Sequence, residues 1–324
     1  MTKKLKILML SATMLIGSIG LAGCSKKDAN VGNDANFTKV VLILDEGGVN
    51  DASFNQSAWE GALKAKKEHG NVDVSFIESK SENEYLSNVE TAIDQEADLI
   101  IGVGFKLASV IDEAAKAYPN QKFAAIDCSY EEIQPNVQPI LFNEQQSGYI
   151  TGLIAGKMTE TNVLSFLGGM DVPSCSSFKV GFEKGVKEVN PDATVLCQYA
   201  NSFSDAAKGK AIAEQMILNN SDIIFSAAGG CNIGAIEAAK ENNVKIIGVD
   251  MPSNHIAPDT IITSALKRVD VGVQSAIEDV ISEQFQGGKV KIFDLSNNGV
   301  GYERTDLLPD YIMEYVDAKL NEIK

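Results

Sequence analysis

Short apolar runs alternate with helical stretches along most of this chain, and this alternation constrains the fold more than any other feature. Runs such as Lys39–Leu44, Leu99–Val103 and Lys122–Ile126 are rich in Val, Ile, Leu and Ala and lack polar alternation, as expected of strands that are covered on both faces. Helical stretches such as Ser53–His69 lie between them. Strand–helix alternation with short connections predicts parallel, right-handed βαβ units and therefore an α/β fold.

The alternation pauses at an irregular stretch, Ser129–Gln138, and then restarts. The part of the chain that alternates is also longer than the usual size of one domain. We therefore predict two doubly wound, Rossmann-like lobes. The expected first lobe comprises residues 38–143 plus about 252–287, and the expected second lobe comprises residues 144–251 plus about 288–324.

The amino terminus has the layout of a bacterial secretory signal. Lysines come first, an apolar run follows, and small residues then lead to Leu-Ala-Gly-Cys, which ends at Cys24. This tetrapeptide resembles a lipobox, and the resemblance implies cleavage after residue 23 and a diacylglycerol on the Cys24 thiol. Residues 24–37 are mostly small and polar and are predicted to form a flexible tether. The expected location is the extracytoplasmic face of the cell membrane.

Charge and cysteine spacing exclude two classes of function. The chain holds 44 acidic and 28 basic residues, with a formal net charge of −16, which disfavours nucleic-acid binding by bulk electrostatics. The cysteines beyond Cys24 show no CxxC or Cys/His spacing, so no metal site is predicted. They are interpreted as free and mostly buried thiols, although export would permit disulfides. These four residues are Cys128, Cys175, Cys197 and Cys231.

Acidic residues stand at the ends of three predicted strands. In doubly wound sheets, ligands bind beyond the carboxyl ends of the strands. Asp45, Asp127 and Asp250 each follow an apolar strand directly, and Gly229 and Gly230 close another. A ligand site formed by these residues is therefore expected. The alternative interpretation of each aspartate is a helix cap or a structural turn.

Several motifs, in order, resemble the basic membrane protein family of lipoproteins, whose best-understood members are purine nucleoside receptors of the PnrA type. Residues 45–61 read Asp-Glu-Gly-Gly-Val-Asn-Asp-Ala-Ser-Phe-Asn-Gln-Ser-Ala-Trp-Glu-Gly. Further matches lie at residues 180–185, 202–210 and 263–270. The resemblance implies a type I periplasmic-binding-protein fold with three crossovers between its lobes. It also implies an ABC importer as partner, with two permease subunits and an ATPase, and no catalysis or cofactor. We expect a monomer.

The resemblance also implies roles for individual residues in binding a purine nucleoside. Phe54 and Phe203 are expected to stack on the base. Asp127 and Asn55 are expected to bind the base edge, since a carboxylate accepts hydrogen bonds and an amide both donates and accepts them. The residues expected at the ribose are Asp45, Asp250, Lys267, Gly229 and Gly230.

Three alternatives stay open. The same scaffold could bind a sugar, a pyrimidine nucleoside or a riboflavin-like ligand, and a panel of ligands would separate these. A nucleoside hydrolase could use the strand-end aspartates, but the sequence has no GxSxG elbow or P-loop. A surface adhesin that only keeps the fold would bind no small ligand.

Overall fold

The computed structural model describes residues 37–323. The predicted signal peptide, the modified Cys24 and the tether up to residue 36 lie outside the described residues, so those predictions stay predictions. Within the described part, no helix combines the length and the hydropathy needed to cross a membrane.

Residues 37–323 contain twelve strands and nine α-helices, in an order close to the predicted alternation. The strands are β1 Thr38–Leu44, β2 Val72–Glu78, β3 Leu99–Val103, β4 Lys122–Ile126, β5 Val137–Phe142, β6 Val163–Gly168, β7 Thr194–Tyr199, β8 Ile223–Ala227, β9 Lys245–Asp250, β10 Ile261–Lys267, β11 Lys291–Phe293 and β12 Val300–Tyr302. The helices are α1 Phe54–His69, α2 Tyr85–Asp94, α3 Ala108–Ala117, α4 Glu144–Met158, α5 Pro173–Val189, α6 Ala206–Leu218, α7 Cys231–Glu241, α8 Val269–Ile281 and α9 Asp310–Ile323.

The strands form two six-stranded sheets, one in each lobe. The first lobe has the order β11-β5-β4-β3-β1-β2, and all of its strands are parallel. The second has the order β12-β10-β9-β8-β6-β7, in which only β12 is antiparallel to its neighbour. In both sheets the strand order reverses beside the first strand of the lobe, which is the switch point where doubly wound folds bind ligands. The prediction of two doubly wound α/β lobes is confirmed.

The chain passes between the lobes three times. It crosses between β5 and α4, between β10 and α8, and between β11 and β12. Two backbone hydrogen bonds connect these crossovers: Asn143 N–H donates to the Phe293 carbonyl at 2.8 Å, and Arg268 N–H donates to the Gly299 carbonyl at 2.8 Å. The three crossovers therefore lie side by side and form the hinge.

The expected lobe boundaries are wrong at two places. Strand β10 was expected in the first lobe, within 252–287, but it pairs with β9 in the second sheet. Strand β11 was expected in the second lobe, within 288–324, but it pairs with β5 in the first sheet. An apolar strand fits either sheet by its own sequence, because only pairing decides which sheet it joins.

Helices α4 and α5 pack unusually close together because glycines line their contact. A Cβ built on Gly152 would lie 2.2 Å from the carbonyl oxygen of Phe182, and one on Gly185 would lie 2.1 Å from that of Tyr149. Side chains at these positions would force the two helix backbones apart.

We expect Gly152→Ala to lower the free energy of unfolding by about 2 kcal/mol, because the added methyl group overpacks the contact between α4 and α5. Gly301→Ala is the matched control, since a Cβ there meets no atom within 4 Å. Urea unfolding of both variants tests this expectation. Equal stabilities for the two variants would contradict the close-packing account.

Candidate functional site

A cleft lies between the lobes, at the carboxyl ends of strands from both sheets. It encloses about 600 Å³ that protein atoms do not occupy, including open solvent at its mouth. Eight of the nine residues predicted to bind a ligand line this one cleft. They are Asp45, Phe54, Asn55, Asp127, Phe203, Gly229, Asp250 and Lys267.

Asn55 is fixed by two carboxylates of the first lobe. Its amide nitrogen Nδ2 donates to Asp45 Oδ1 at 2.8 Å and to Asp51 Oδ2 at 3.2 Å. Because a carboxylate only accepts hydrogen bonds, these contacts determine which end of the amide faces them. The other end, Asn55 Oδ1, is buried and accepts no hydrogen bond within the described residues. Asn55 lines the cleft and thus brings to it an acceptor that has no partner among the described residues.

Asp51 holds the amino-terminal end of α1. Its carboxylate accepts hydrogen bonds from the backbone N–H groups of Ser53, Asn55 and Gln56 at 2.9 to 3.1 Å. Such bonds satisfy N–H groups that a helix leaves without partners at its start. Asp51 also lines the cleft. Asp51 therefore fixes the start of α1 beside the cleft, and with it the positions of Phe54 and Asn55.

Asp127 and Asp250 occupy equivalent positions in the two lobes. Asp127 directly follows β4, and Asp250 ends β9. Both have left-handed backbone conformations, with φ of 60° and 67°. Few residues other than glycine adopt this conformation, although aspartate does so more readily than most. Such outliers are frequent at ligand sites, because the surrounding structure must hold them in place.

Lys267 lies at the end of β10 and crosses to the first lobe. Its side chain is 2% exposed, and its ammonium forms ion pairs with Asp127 and, at 2.8 Å, with Glu144. Burial alone would lower the pKa of Lys267, but the charges of Asp127, Glu144 and Asp250 outweigh burial and raise it above the usual range. Lys267 therefore stays protonated and compensates buried carboxylates that would otherwise be unpaired.

Asp250 contacts the first lobe through Ser53, whose hydroxyl donates a hydrogen bond to its carboxylate. Ser53 is the N-cap residue of α1, but its side chain makes no capping bond and contacts the opposite lobe instead. Burial raises the pKa of Asp250 to about 7, and Lys267 and Ser53 offset only part of this effect.

The raised pKa of Asp250 predicts a pH-dependent stability. The folded protein holds a proton on Asp250 between about pH 4 and 7, where the unfolded chain has already lost it. Its contribution to the free energy of unfolding is therefore full below that window and is lost as the pH rises through it. Burial also raises the pKa of Asp45 and Asp51, which adds to the same trend.

We expect the ligand-free protein to have a higher melting temperature at pH 5 than at pH 7.5. Asp250→Asn should remove part of this difference, since asparagine does not titrate. The exposed Asp306→Asn is the matched control and should keep the wild-type difference. If Asp250→Asn shows the same difference in melting temperature between pH 5 and pH 7.5 as the wild type, the expectation is contradicted.

Four aromatic rings line the cleft, two more than the sequence predicted. Phe54 belongs to the first lobe and Phe203 to the second. Phe105 follows β3 in the first lobe, and its ring contacts that of Phe203 edge-on, with ring centres 6.4 Å apart. The strand-end rule, by which ligands bind beyond the carboxyl ends of the strands, predicted Asp45. It could also have predicted Phe105, since only Gly104 separates Phe105 from β3.

Gly229 and Gly230 differ in position. Gly229 lines the cleft with φ of 56°. Gly230 lies outside the lining, and its N–H donates to the Phe203 carbonyl at 2.8 Å. The structure thus does not support the expected contact of Gly230 with a ligand, because its donor group is already used to hold the Phe203 loop.

The start of α5 also lines the cleft, which the sequence did not predict. Ser174, Cys175 and Phe178 belong to this part of the lining. Burial raises the pKa of Cys175 to about 11, so its thiol stays neutral. Cys128, Cys197 and Cys231 are likewise free thiols, as predicted. Only Cys197 of the four is exposed.

Two α/β lobes with a polar and aromatic cleft between them are typical of substrate-binding proteins of the periplasmic-binding-protein class. Residues 38–324 match the family model described as ABC transporter substrate-binding protein PnrA-like. The chain belongs to this family, and the expected resemblance is confirmed. Members of this class bind a substrate outside the cytoplasm and deliver it to an importer, a role that involves no catalysis.

Individual relatives agree with this assignment. The chain is 35% identical to the CD4+ T-cell-stimulating antigen of Listeria monocytogenes, over 98% of this chain and 93% of the relative. It is 34% identical to the ABC transporter nucleoside-binding protein BmpA of Lactococcus lactis, over 92% and 91%. Among solved structures, an ABC transporter solute-binding protein from Aeropyrum pernix is 32% identical, with a TM-score of 0.78 and coverage of 88% and 86%.

Proposed function

We propose that this protein binds purine nucleosides such as inosine, guanosine and adenosine in the interlobe cleft and delivers them to the permease and ATPase subunits of an ABC importer. One observation carries the proposal: aromatic rings from both lobes and strand-end carboxylates line the same cleft. A flat base requires ring faces, and a ribose requires hydrogen-bond acceptors. The name of the Lactococcus lactis relative, a nucleoside-binding protein, supports the same ligand class.

In the proposed complex, the base lies against Phe54 and Phe203. Asn55 Oδ1 and Asp127 accept hydrogen bonds from the base edge, since Asn55 Oδ1 has no partner within the described residues. Asp45, Asp250, Lys267 and the backbone at Gly229 bind the ribose. These contacts come from both lobes, so the nucleoside stabilises the closed arrangement.

Membrane attachment through Cys24 is a further part of the proposal. Lipid chains would hold an otherwise acidic protein at the outer face of the membrane. Mass spectrometry of the mature amino terminus would show a diacylglyceryl-modified cysteine at position 24. An unmodified mature chain that begins elsewhere would contradict this part.

A thermal-shift panel tests the ligand class. A ligand that binds only the folded state stabilises it by RT ln(1 + [L]/Kd), so a tighter ligand gives a larger shift at the same concentration. We expect inosine, guanosine and adenosine at millimolar concentration to raise the melting temperature, and cytidine, ribose and riboflavin to raise it less. A larger shift with ribose or riboflavin than with any purine nucleoside would contradict the proposal.

A further inference from the structure

Glu144 is a buried carboxylate to which the proposed function gives no role. It is the first residue of α4, directly after the crossover residue Asn143. Its side chain is 8% exposed, and its Oε1 atom lies 2.8 Å from the ammonium of Lys267. It is absent from the cleft lining. Burying a carboxylate away from water is unfavourable unless it forms a well-placed ion pair and hydrogen bonds. The position of Glu144 therefore suggests a function.

Lys267 has a carboxylate on each of two sides. Asp127 pairs with it on the side of the cleft, and Glu144 pairs with it at the hinge. The ring centres of Phe54 and Phe142 lie 5.2 and 5.3 Å from the same ammonium. The ammonium is therefore held between two carboxylates and two aromatic rings, and Glu144 reaches it from outside the ligand site.

Burial raises the pKa of Glu144, and the ammonium of Lys267 lowers it. With Glu144 ionised, the three charges sum to one net negative charge, and Asp127 is the carboxylate that faces the cleft. Its Oδ2 atom is used by Lys267, whereas Oδ1 accepts no hydrogen bond from the described residues. If Glu144 were neutral, the single ammonium would be paired with Asp127 alone. The two would then form a neutral pair, which accepts a hydrogen bond more weakly than a net negative group does.

We propose that Glu144 is a positioning residue that shares Lys267 with Asp127 and so keeps Asp127 a charged acceptor for an N–H donor on the ligand base. This inference rests on the proposed function. Glu144 would then help the protein to distinguish one base from another without contacting the ligand. Glu144 and Lys267 lie next to two of the three crossovers, so this selectivity would depend on the hinge.

Inosine and purine riboside are suitable probes, because they share the ribose and the ring system but only inosine carries the N1–H donor. We expect the wild-type protein to bind inosine at least about tenfold more tightly than purine riboside. Glu144→Gln keeps the shape of the side chain and removes its charge. It should reduce that ratio by about fivefold, mainly by weakening inosine binding.

Calorimetric titration of both probes measures the ratio in each variant. Glu144→Asp keeps the charge and should keep the ratio within about threefold of wild type. The exposed Glu90→Gln is the matched control and should change neither affinity. If Glu144→Gln does not fold, Glu144→Ser serves as the second neutral variant, since it leaves room for a water at the ammonium.

The outcomes separate this inference from the function on which it rests. A wild-type protein that binds neither probe would overturn the proposed function and this inference with it. A wild-type protein that prefers inosine, together with a Glu144→Gln variant that keeps the same ratio, would overturn only the role of Glu144. Equal losses of affinity for both probes would show a merely structural role and would also overturn it.

Discussion

Replacing Phe203 with alanine is expected to weaken inosine binding by more than about tenfold while the protein stays folded. The ring of Phe203 lines the cleft and is the second lobe's counterpart of Phe54. Its removal would take away one face of the proposed base site and also the edge contact with Phe105 across the cleft. Phe54→Ala should have an effect of similar size for the opposite face.

Calorimetry of both variants, with circular dichroism as a check of folding, tests this expectation. Tyr311→Ala is the matched control, because Tyr311 is an aromatic residue that is 63% exposed on α9. It should bind inosine as the wild type does. Wild-type affinity in both phenylalanine variants would mean that the base does not stack on these rings.

Replacing Lys267 with methionine is expected to lower the free energy of unfolding by about 3–5 kcal/mol, because it leaves two buried carboxylates without their cation. Methionine has a similar length and no charge, so the loss would come from electrostatics rather than from a cavity. Urea unfolding measures the change. Inosine binding should be lost together with it, since Lys267 also lines the cleft.

Two further variants make this expectation specific. Lys66→Met is the matched control, because its ion pair with Asp73 is largely exposed and should be worth less than about 1 kcal/mol. Adding Glu144→Gln to Lys267→Met should restore part of the lost stability, since it removes one of the uncompensated charges. A Lys267→Met protein as stable as Lys66→Met would contradict the role of Lys267.

Most of the fold could be predicted from local patterns. Strands such as β3 and β4 are short apolar runs between helical stretches, and their bounds follow from that contrast. The assignment of β10 and β11 to lobes could not be predicted in the same way. Strand pairing is a tertiary property, and β11 has only three residues, Lys291–Phe293, which fit the edge of either sheet.

The strand-end rule brought Asp45, Asp127 and Asp250 to one site, because the carboxyl ends of parallel strands lie at one edge of each sheet. Glu144 could not be found this way, since it begins a helix and is brought to Lys267 only by the hinge. The use of the Gly230 N–H by the Phe203 carbonyl could not be predicted either, because these two residues are far apart in the sequence.

A crystal structure of the protein with inosine is the most direct test of the central claim, which is that the two lobes close on a purine nucleoside. The claim predicts the base between the rings of Phe54 and Phe203, with ribose hydroxyls within hydrogen-bond distance of Asp250. Inosine bound outside the interlobe cleft, or a cleft that stays empty of inosine at saturating concentration, would contradict it.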